Sequence, residues 1–305
     1  MRDRSIFRGV LWGLVGLLFI FMVGGGWYFS SEVISDGFVP NPAPYIVPTG
    51  DYEIQEVTYE GDLGTYDALY LPGPSSTWVI HVHGKGATPA EPEPIFGAIQ
   101  EAGYPQLSIT YRNDDGQPTD PSGYYQYGAT EWHDVEAAVQ YALDNGASQV
   151  VLSGFSTGAA HIMSYLVNKA TDPVVGLLFD APNIDMGWTV DYARSQRDLP
   201  LIGLPVPAPL GTVAKFFTSL RIDVNWKSID YLDKADLIIR QPALVHHGDA
   251  DLTVPVEVSR ELAEKAPDYV SYVEVPGAGH VDSFDVDYAN YVEDVVTFLD
   301  QLSST

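Results

Sequence analysis

Cysteine is absent from the sequence, which excludes a disulfide, a thiolate nucleophile and a Cys-based zinc site. Positive charge is scarce, with 15 Lys and Arg against 41 Asp and Glu and a net charge of −26. A nucleic-acid partner needs basic patches to neutralise phosphates, so this balance argues against one. The chemistry left open is that of hydroxyl, imidazole and carboxylate groups. What the chain does have is apolar material: 46% of its 305 residues are hydrophobic and 18% charged, enough for a large packed core.

Charge of either sign is missing from Gly9 to Phe29, a run long enough to cross a bilayer as a helix. Arg2, Arg4 and Arg8 precede it, while Glu32 and Asp36 follow. The positive-inside rule then leaves the N-terminus in the cytoplasm and puts the remainder outside it. Residues 1–30 therefore read as a cytoplasmic stub and a transmembrane signal anchor. A secreted protein cut after Gly24-Gly25-Gly26 is the alternative, but the length of the run and the lack of an Ala-x-Ala site favour retention. Pro40, Pro42, Pro44 and Pro48 make residues 31–50 an extended spacer. Beyond residue 29 the chain holds 12 basic and 40 acidic groups, a charge that suits an exported soluble body.

Residues 51–305 alternate between strand-like and helix-like runs. Glu53–Tyr59 and Ala68–Leu71 read as two early strands around the Gly61–Gly64 turn. Trp78–Val82, Leu107–Tyr111, Val150–Ser153, Val174–Phe179, Ala243–His246 and Val270–Val275 are short apolar runs of the kind that form buried parallel strands. Thr130 reads as the N-cap of a helix that Gly146 closes, and Ala159–Lys169, Val256–Lys265 and Val286–Leu302 are further helices. Such alternation predicts an α/β fold with a mostly parallel sheet and helices on both faces. Residues 183–240 break the rhythm and read as a helical cap insertion.

Gly154-Phe155-Ser156-Thr157-Gly158 lies directly after an apolar run and directly before a helix, the strand–turn–helix setting of a nucleophile elbow. It exposes the Ser156 hydroxyl at a helix N-terminus, where negative charge is favoured. In the fold that carries this elbow the partners follow in the order serine, acid, histidine. His246, His247 and His280 follow the later strands, and His280 sits in the glycine-rich loop after the last of them. His280 is thus the expected general base, and the acid is one of Asp251, Asp249 or Asp180. His83-Gly84-Lys85-Gly86 follows an early strand, from which the Lys85 amide would join that of Thr157 in binding an oxyanion. His81-Val82-His83 could hold a metal, but no second ligand cluster accompanies it, and core packing is the expected role.

Four motifs together (HGKG at 83–86, GFSTG at 154–158, HGDADLTVP at 247–255 and GAGH at 277–280) resemble the α/β-hydrolase superfamily across residues 50–302. The stretch Thr110-Tyr111-Arg112-Asn113-Asp114 is similar to a strand end in its membrane-anchored bacterial members and in serine-aminopeptidase-like lipases. The resemblance implies Asp251 as the acid and hydrolysis of an ester, thioester or amide through an acyl-serine, with no cofactor. Thr157 departs from the Met, Leu or Gln common at that position.

The expected function is that of a membrane-anchored carboxylic ester hydrolase acting on a small-molecule or lipid ester. Apolar cap residues (Trp188, Leu201, Ile202, Leu204, Val206, Phe216, Phe217) could line an acyl pocket or form the cap's own core. A serine peptidase holding a peptide N-terminus on Asp185, Asp191 or Asp198 is the alternative. A surface binding module without catalysis is a third.

Overall fold

A computed structural model describes residues 2–169, 172–199 and 203–303. It divides into two compact units, Pro40–Thr189 with Lys227–Thr305 and Met1–Val39 with Val190–Trp226.

The larger unit is built on one sheet of eight strands: β1 Gln55–Glu60, β2 Thr65–Leu71, β3 Thr77–Val82, β4 Gln106–Ile109, β5 Gln149–Phe155, β6 Val174–Asp180, β7 Ala243–Gly248 and β8 Val270–Val275. Their order is β1-β2-β4-β3-β5-β6-β7-β8, with β2 antiparallel to both its neighbours and every other pairing parallel. Every apolar run expected to be a strand is one. β3 and β4 are buried throughout and β5 from its second residue on, because helices cover both faces and leave no solvent side to encode.

The helices of this unit are α2 Glu93–Glu101, α3 Trp132–Asp144, α4 Thr157–Asn168, α7 Ala235–Ile238, α8 Glu257–Lys265, α9 Ser283–Val286 and α10 Tyr288–Ser303. α2 and α10 cover one face, where Ile95, Ile99, Tyr291, Val295 and Leu299 pack on Val79, Val151 and Leu178. α3, α4, α7 and α8 pack in succession on the other. Local structure differs from the sequence reading at three points. The α3 N-cap is Glu131, not Thr130: its carboxylate folds back to accept the amides of Gln126 (2.7 Å) and Gly128 (2.8 Å), and Thr130 Oγ1 donates to Asp120 instead. The expected last helix starts at Tyr288 as α10, and α9 is a separate short turn ahead of it. α2 is an addition, apolar on one side only over nine residues.

Register brings the C-terminal ends of the strands to a common edge. Gly154 lies opposite Val82, Phe155 opposite Asp180, Asp180 opposite His246, and Gly248 opposite Val275. The chain runs from β3 to β4 on one side and then returns to β5 on the other, so the loops after β3 and β5 flank the point where strand order reverses.

In the smaller unit, α1 (Arg2–Glu32) passes into a further helical turn, Val33–Phe38, and extended chain begins only at Val39. Helix thus occupies the first part of the expected spacer, because Ile34 and Phe38 have apolar neighbours: both are buried, and Phe38 meets Trp226 edge-on at 5.8 Å. α5 (Met186–Ser195) leads into this unit, and α6 (Ala208–Ile222) lies along the end of α1. A Cβ on Gly26 would overlap Val213, and one on Gly25 would crowd Leu210, so the glycine run is where the two helices approach. Leu199, Val206 and Leu210 cluster with Met22 and Phe29, and Trp27 meets Phe217 edge-on at 5.5 Å. Arg221 lies 4.6 Å over the Trp27 ring and donates to Ser31 Oγ at 2.8 Å. The helix Phe7–Phe38, which contains an 18-residue stretch of mean hydropathy 2.0, is long and apolar enough to cross a membrane.

Candidate active site

Ser156 joins β5 to α4 at φ +49° and ψ −116°, a conformation that L side chains rarely adopt. Its flanking glycines answer a need for space rather than for turning. A Cβ at Gly158 would overlap the carbonyl of Val82, and one at Gly154 would lie 2.7 Å from the Ala159 nitrogen. The elbow is stitched to β6 by Ser156 N–H donating to Asp180 O (3.0 Å) and Asn183 N–H donating to Ser156 O (2.9 Å).

His280 comes from the loop after β8, and its Nε2 lies 2.9 Å from Ser156 Oγ. Its Nδ1 lies 2.7 Å from Asp251 Oδ2. Asp251 is buried, and its Oδ1 accepts the amides of Thr253 (2.7 Å) and Val254 (2.9 Å). His247 Nε2 approaches Oδ2 at 3.1 Å, while its Nδ1 pairs with the Ser259 hydroxyl at 2.7 Å. Burial opposes ionisation of Asp251, yet hydrogen bonds from His247 and His280, the charge on His280 and the Thr253 amide hold its carboxyl well below the usual range.

The other acid candidates face elsewhere. Asp249 accepts the Gly277 amide at 2.6 Å and ties the loop after β7 to the loop after β8. Asp180 accepts the Ser283 hydroxyl at 2.8 Å. Burial pushes its carboxyl up to about 7, against that hydrogen bond and the His280 charge. A raised carboxyl value means the folded state holds the proton more tightly, so stability falls between about pH 4 and about pH 7. Asp180→Asn keeps an oxygen for Ser283 and removes that cost. Thermal melts of the variant are therefore expected to exceed wild type near about pH 8 and to match it near about pH 4.

The HGKG loop lies against the serine: a Cβ on Gly84 would be 3.1 Å from Ser156 Cβ. Lys85 follows Gly84 in this loop, and Thr157 opens α4 on the other side of Ser156. Three residues to which sequence reasoning gave no role in the site hold the loop. Glu91 Oε2 accepts the Gly84 amide at 2.6 Å. Asp114 lies 2.9 Å from His83 Nε2, while His83 Nδ1 donates to Gly84 O at 2.8 Å. Tyr111 stacks on the His83 ring at 4.5 Å. Both His83 nitrogens face acceptors, which suits the charged ring; burial disfavours that form, but Asp114 and Glu91 hold its pKa above the ordinary value. Glu91 sits in a stretch with Pro89, Pro92 and Pro94 and no periodicity, so no pattern marked it.

His81, two residues earlier, is a different kind of histidine. It is fully buried, its Nε2 pairs with Gln106 Oε1 at 3.1 Å, and burial lowers its pKa to about 4. Among the described residues no group of three or more His, Asp or Glu could hold a metal.

Of the cap residues, Val206 packs in the apolar cluster with α1 and Phe217 meets Trp27, so these two serve the core of the smaller unit. Leu204 and Phe216 are exposed. Leu201 and Ile202 lie outside the described residues. Asp185 accepts the Trp188 amide at 2.9 Å, and Asp191 pairs with Lys215 at 2.6 Å.

No protein-family model matches the chain. Among curated proteins it is 21% identical over 294 residues to "Uncharacterized protein YfhR" of Escherichia coli O157:H7, covering 93% of each chain. Among solved structures it resembles the Pyrococcus furiosus esterase Pf2001, with a TM-score of 0.65, 21% identity, and 86% of this chain and 98% of that one covered. It also resembles Est1E from Butyrivibrio proteoclasticus, with a TM-score of 0.58, 18% identity, and 82% and 99% covered. The elbow after β5, the strand order and these likenesses lead to one conclusion: the chain has the α/β-hydrolase fold.

Proposed function

We propose that the protein is a serine hydrolase that cleaves carboxylic esters through an acyl-serine intermediate. One observation carries the reading: the unbroken line from Ser156 Oγ through His280 to Asp251, with contacts of 2.9 and 2.7 Å, built on a strained elbow. Ser156 Oγ attacks the ester carbonyl while His280 Nε2 takes its proton, and Asp251 holds the imidazole by Nδ1 and stabilises its charge. The oxyanion that forms is bound by the backbone N–H groups of Lys85 and Thr157. As the tetrahedral species collapses, His280 returns the proton to the leaving alkoxide. Water, deprotonated by His280, then releases the acid and restores Ser156.

The name of one structural neighbour, the Pyrococcus furiosus esterase, supports esters over amides. The peptidase alternative is weakened because Asp185 and Asp191, two of the three carboxylates it would use, already have partners. On p-nitrophenyl esters of increasing acyl length the enzyme is expected to turn over, with aminoacyl anilides slow by comparison. Activity confined to the anilides would sink the esterase reading.

The same proposal makes α1 a retained membrane anchor, N-terminus inward, with the catalytic body outside the cytoplasm. Support comes from the Gly24-Gly25-Gly26 run, where cleavage of a secreted form would occur: Gly25 and Gly26 are packed against α6. From Phe7 to Phe21 the apolar side chains of α1 are largely exposed, as a lipid-facing helix requires.

A further inference from the structure

The cap helix α6 carries an apolar stripe that, among the described residues, nothing in its own unit covers. Pro209, Thr212, Phe216 and Leu220 follow one another at helical spacing on the exposed side, and no charge lies among them. Phe216 is 59% and Leu220 67% exposed, and Leu204, just before the helix, is 60% exposed. From Leu199 to Ala214 the sequence has no charged residue. Lys215, the first, is turned onto Asp191.

The opposite side of α6 is fixed to α1 at a defined height. Leu210 meets Gly25 and clusters with Met22, four and seven residues before the uncharged run ends at Phe29. At about 1.5 Å per residue, that places the start of α6 some ~6 to ~10 Å inside the apolar span. The far end of α6 meets polar positions: Thr218 faces Ser30, and Arg221 reaches Ser30 and Ser31. Trp27 and Tyr28 lie between, half exposed, at the level where aromatic belts form. Charge agrees. The smaller unit has seven basic and six acidic residues, a net +1, whereas the larger has eight basic and 35 acidic, a net −27. The acidity that would repel anionic headgroups is thus absent from the unit that holds the stripe.

We propose that the Leu204–Leu220 face of the cap is seated in the lipid bilayer beside α1, as a second membrane-contacting element that enters one leaflet without spanning it. The occupant of the stripe is lipid. A second copy of the chain is the competing occupant. The inference rests on α1 being a membrane anchor, and the test keeps the two claims apart.

Because the chain has no cysteine, single cysteines can be placed at will. Leu204→Cys, Phe216→Cys and Leu220→Cys, with Val15→Cys in mid-α1 and Glu257→Cys on exposed α8 as references, are labelled with an environment-sensitive fluorophore. The full-length protein is then reconstituted in phosphatidylcholine–phosphatidylglycerol vesicles, with and without lipid carrying a nitroxide near the headgroup end of its acyl chains. The labels at 204, 216 and 220 are expected to emit as in an apolar medium and to lose intensity when the nitroxide lipid is present. The Glu257 label stays water-like and unquenched. If the Val15 label is lipid-exposed while those at 204, 216 and 220 behave like the one at 257, the anchor stands and the cap proposal falls. If those three are apolar but unquenched, another protein copy covers the stripe and the proposal also falls. If the Val15 label is itself in water, the anchor reading fails, and the cap proposal with it.

Discussion

Asp251→Asn is expected to lower kcat on the best ester about 10⁴-fold while leaving the protein folded. The side-chain oxygen that accepts the Thr253 and Val254 amides can remain as the Asn carbonyl. The amino group then replaces the oxygen that faces His280 Nδ1 and His247 Nε2. A donor there forces Nδ1 of His280 to accept, which puts the ring proton on Nε2, against the Ser156 hydroxyl it has to deprotonate. Steady-state kinetics with a melting curve for each variant checks this. Asp180→Asn serves as the paired control: with its carboxylate on Ser283 rather than His280, its rate stays within a few-fold of wild type. Equal losses in the two variants would refute Asp251 as the acid. Asp251 has a second signature. Its folded carboxyl value is depressed, so it adds stability above about pH 4 that is lost as pH falls, and Asp251→Asn removes that part of the acid dependence.

The second large effect is on stability. Arg112→Met is expected to cost about 3–5 kcal/mol of unfolding free energy. The guanidinium is buried, with Nε and NH2 donating to the two oxygens of Asp134 at 2.7 and 2.9 Å, and NH2 also to Asp62 at 2.7 Å. Asp134 is fully buried, so removing the cation leaves its charge without compensation in a low-dielectric site. Arg112→Lys recovers only part of the loss, because a single ammonium cannot reproduce the planar fork. Chemical denaturation of the two variants and of the double variant Arg112→Met/Asp134→Leu measures this; the double variant is expected to be more stable than Arg112→Met alone. The effect bears on the site because Asp114, two residues on, holds His83 at the base of the HGKG loop. The stretch that looks like a family signature in sequence thus works as a support beneath the serine.

The central parallel strands were legible because they are apolar along their whole length, and β1 and β2 because the Gly61–Gly64 turn separates them. The elbow was legible for a similar reason: glycine on both sides of Ser156 is what the backbone near Val82 and Ala159 demands. Where pattern depends on distant partners, it failed. Thr130 has the chemistry of an N-cap, but Asp120 takes its hydroxyl and leaves the cap to Glu131. Glu91 and Asp114 gain their places only once the loops after β3 and β4 have met. The pairing of α1 with α6 joins segments far apart in sequence, and the glycines that permit it read equally well as a cleavage site.

Labelling with a fluorophosphonate probe tests the central claim most directly, since the probe reports an activated serine whatever the natural substrate. Wild-type protein is expected to be labelled at Ser156, with labelling lost in Ser156→Ala and strongly slowed in His280→Ala. Undiminished labelling of Ser156→Ala, or a well-folded wild-type protein that takes no label, would contradict the account.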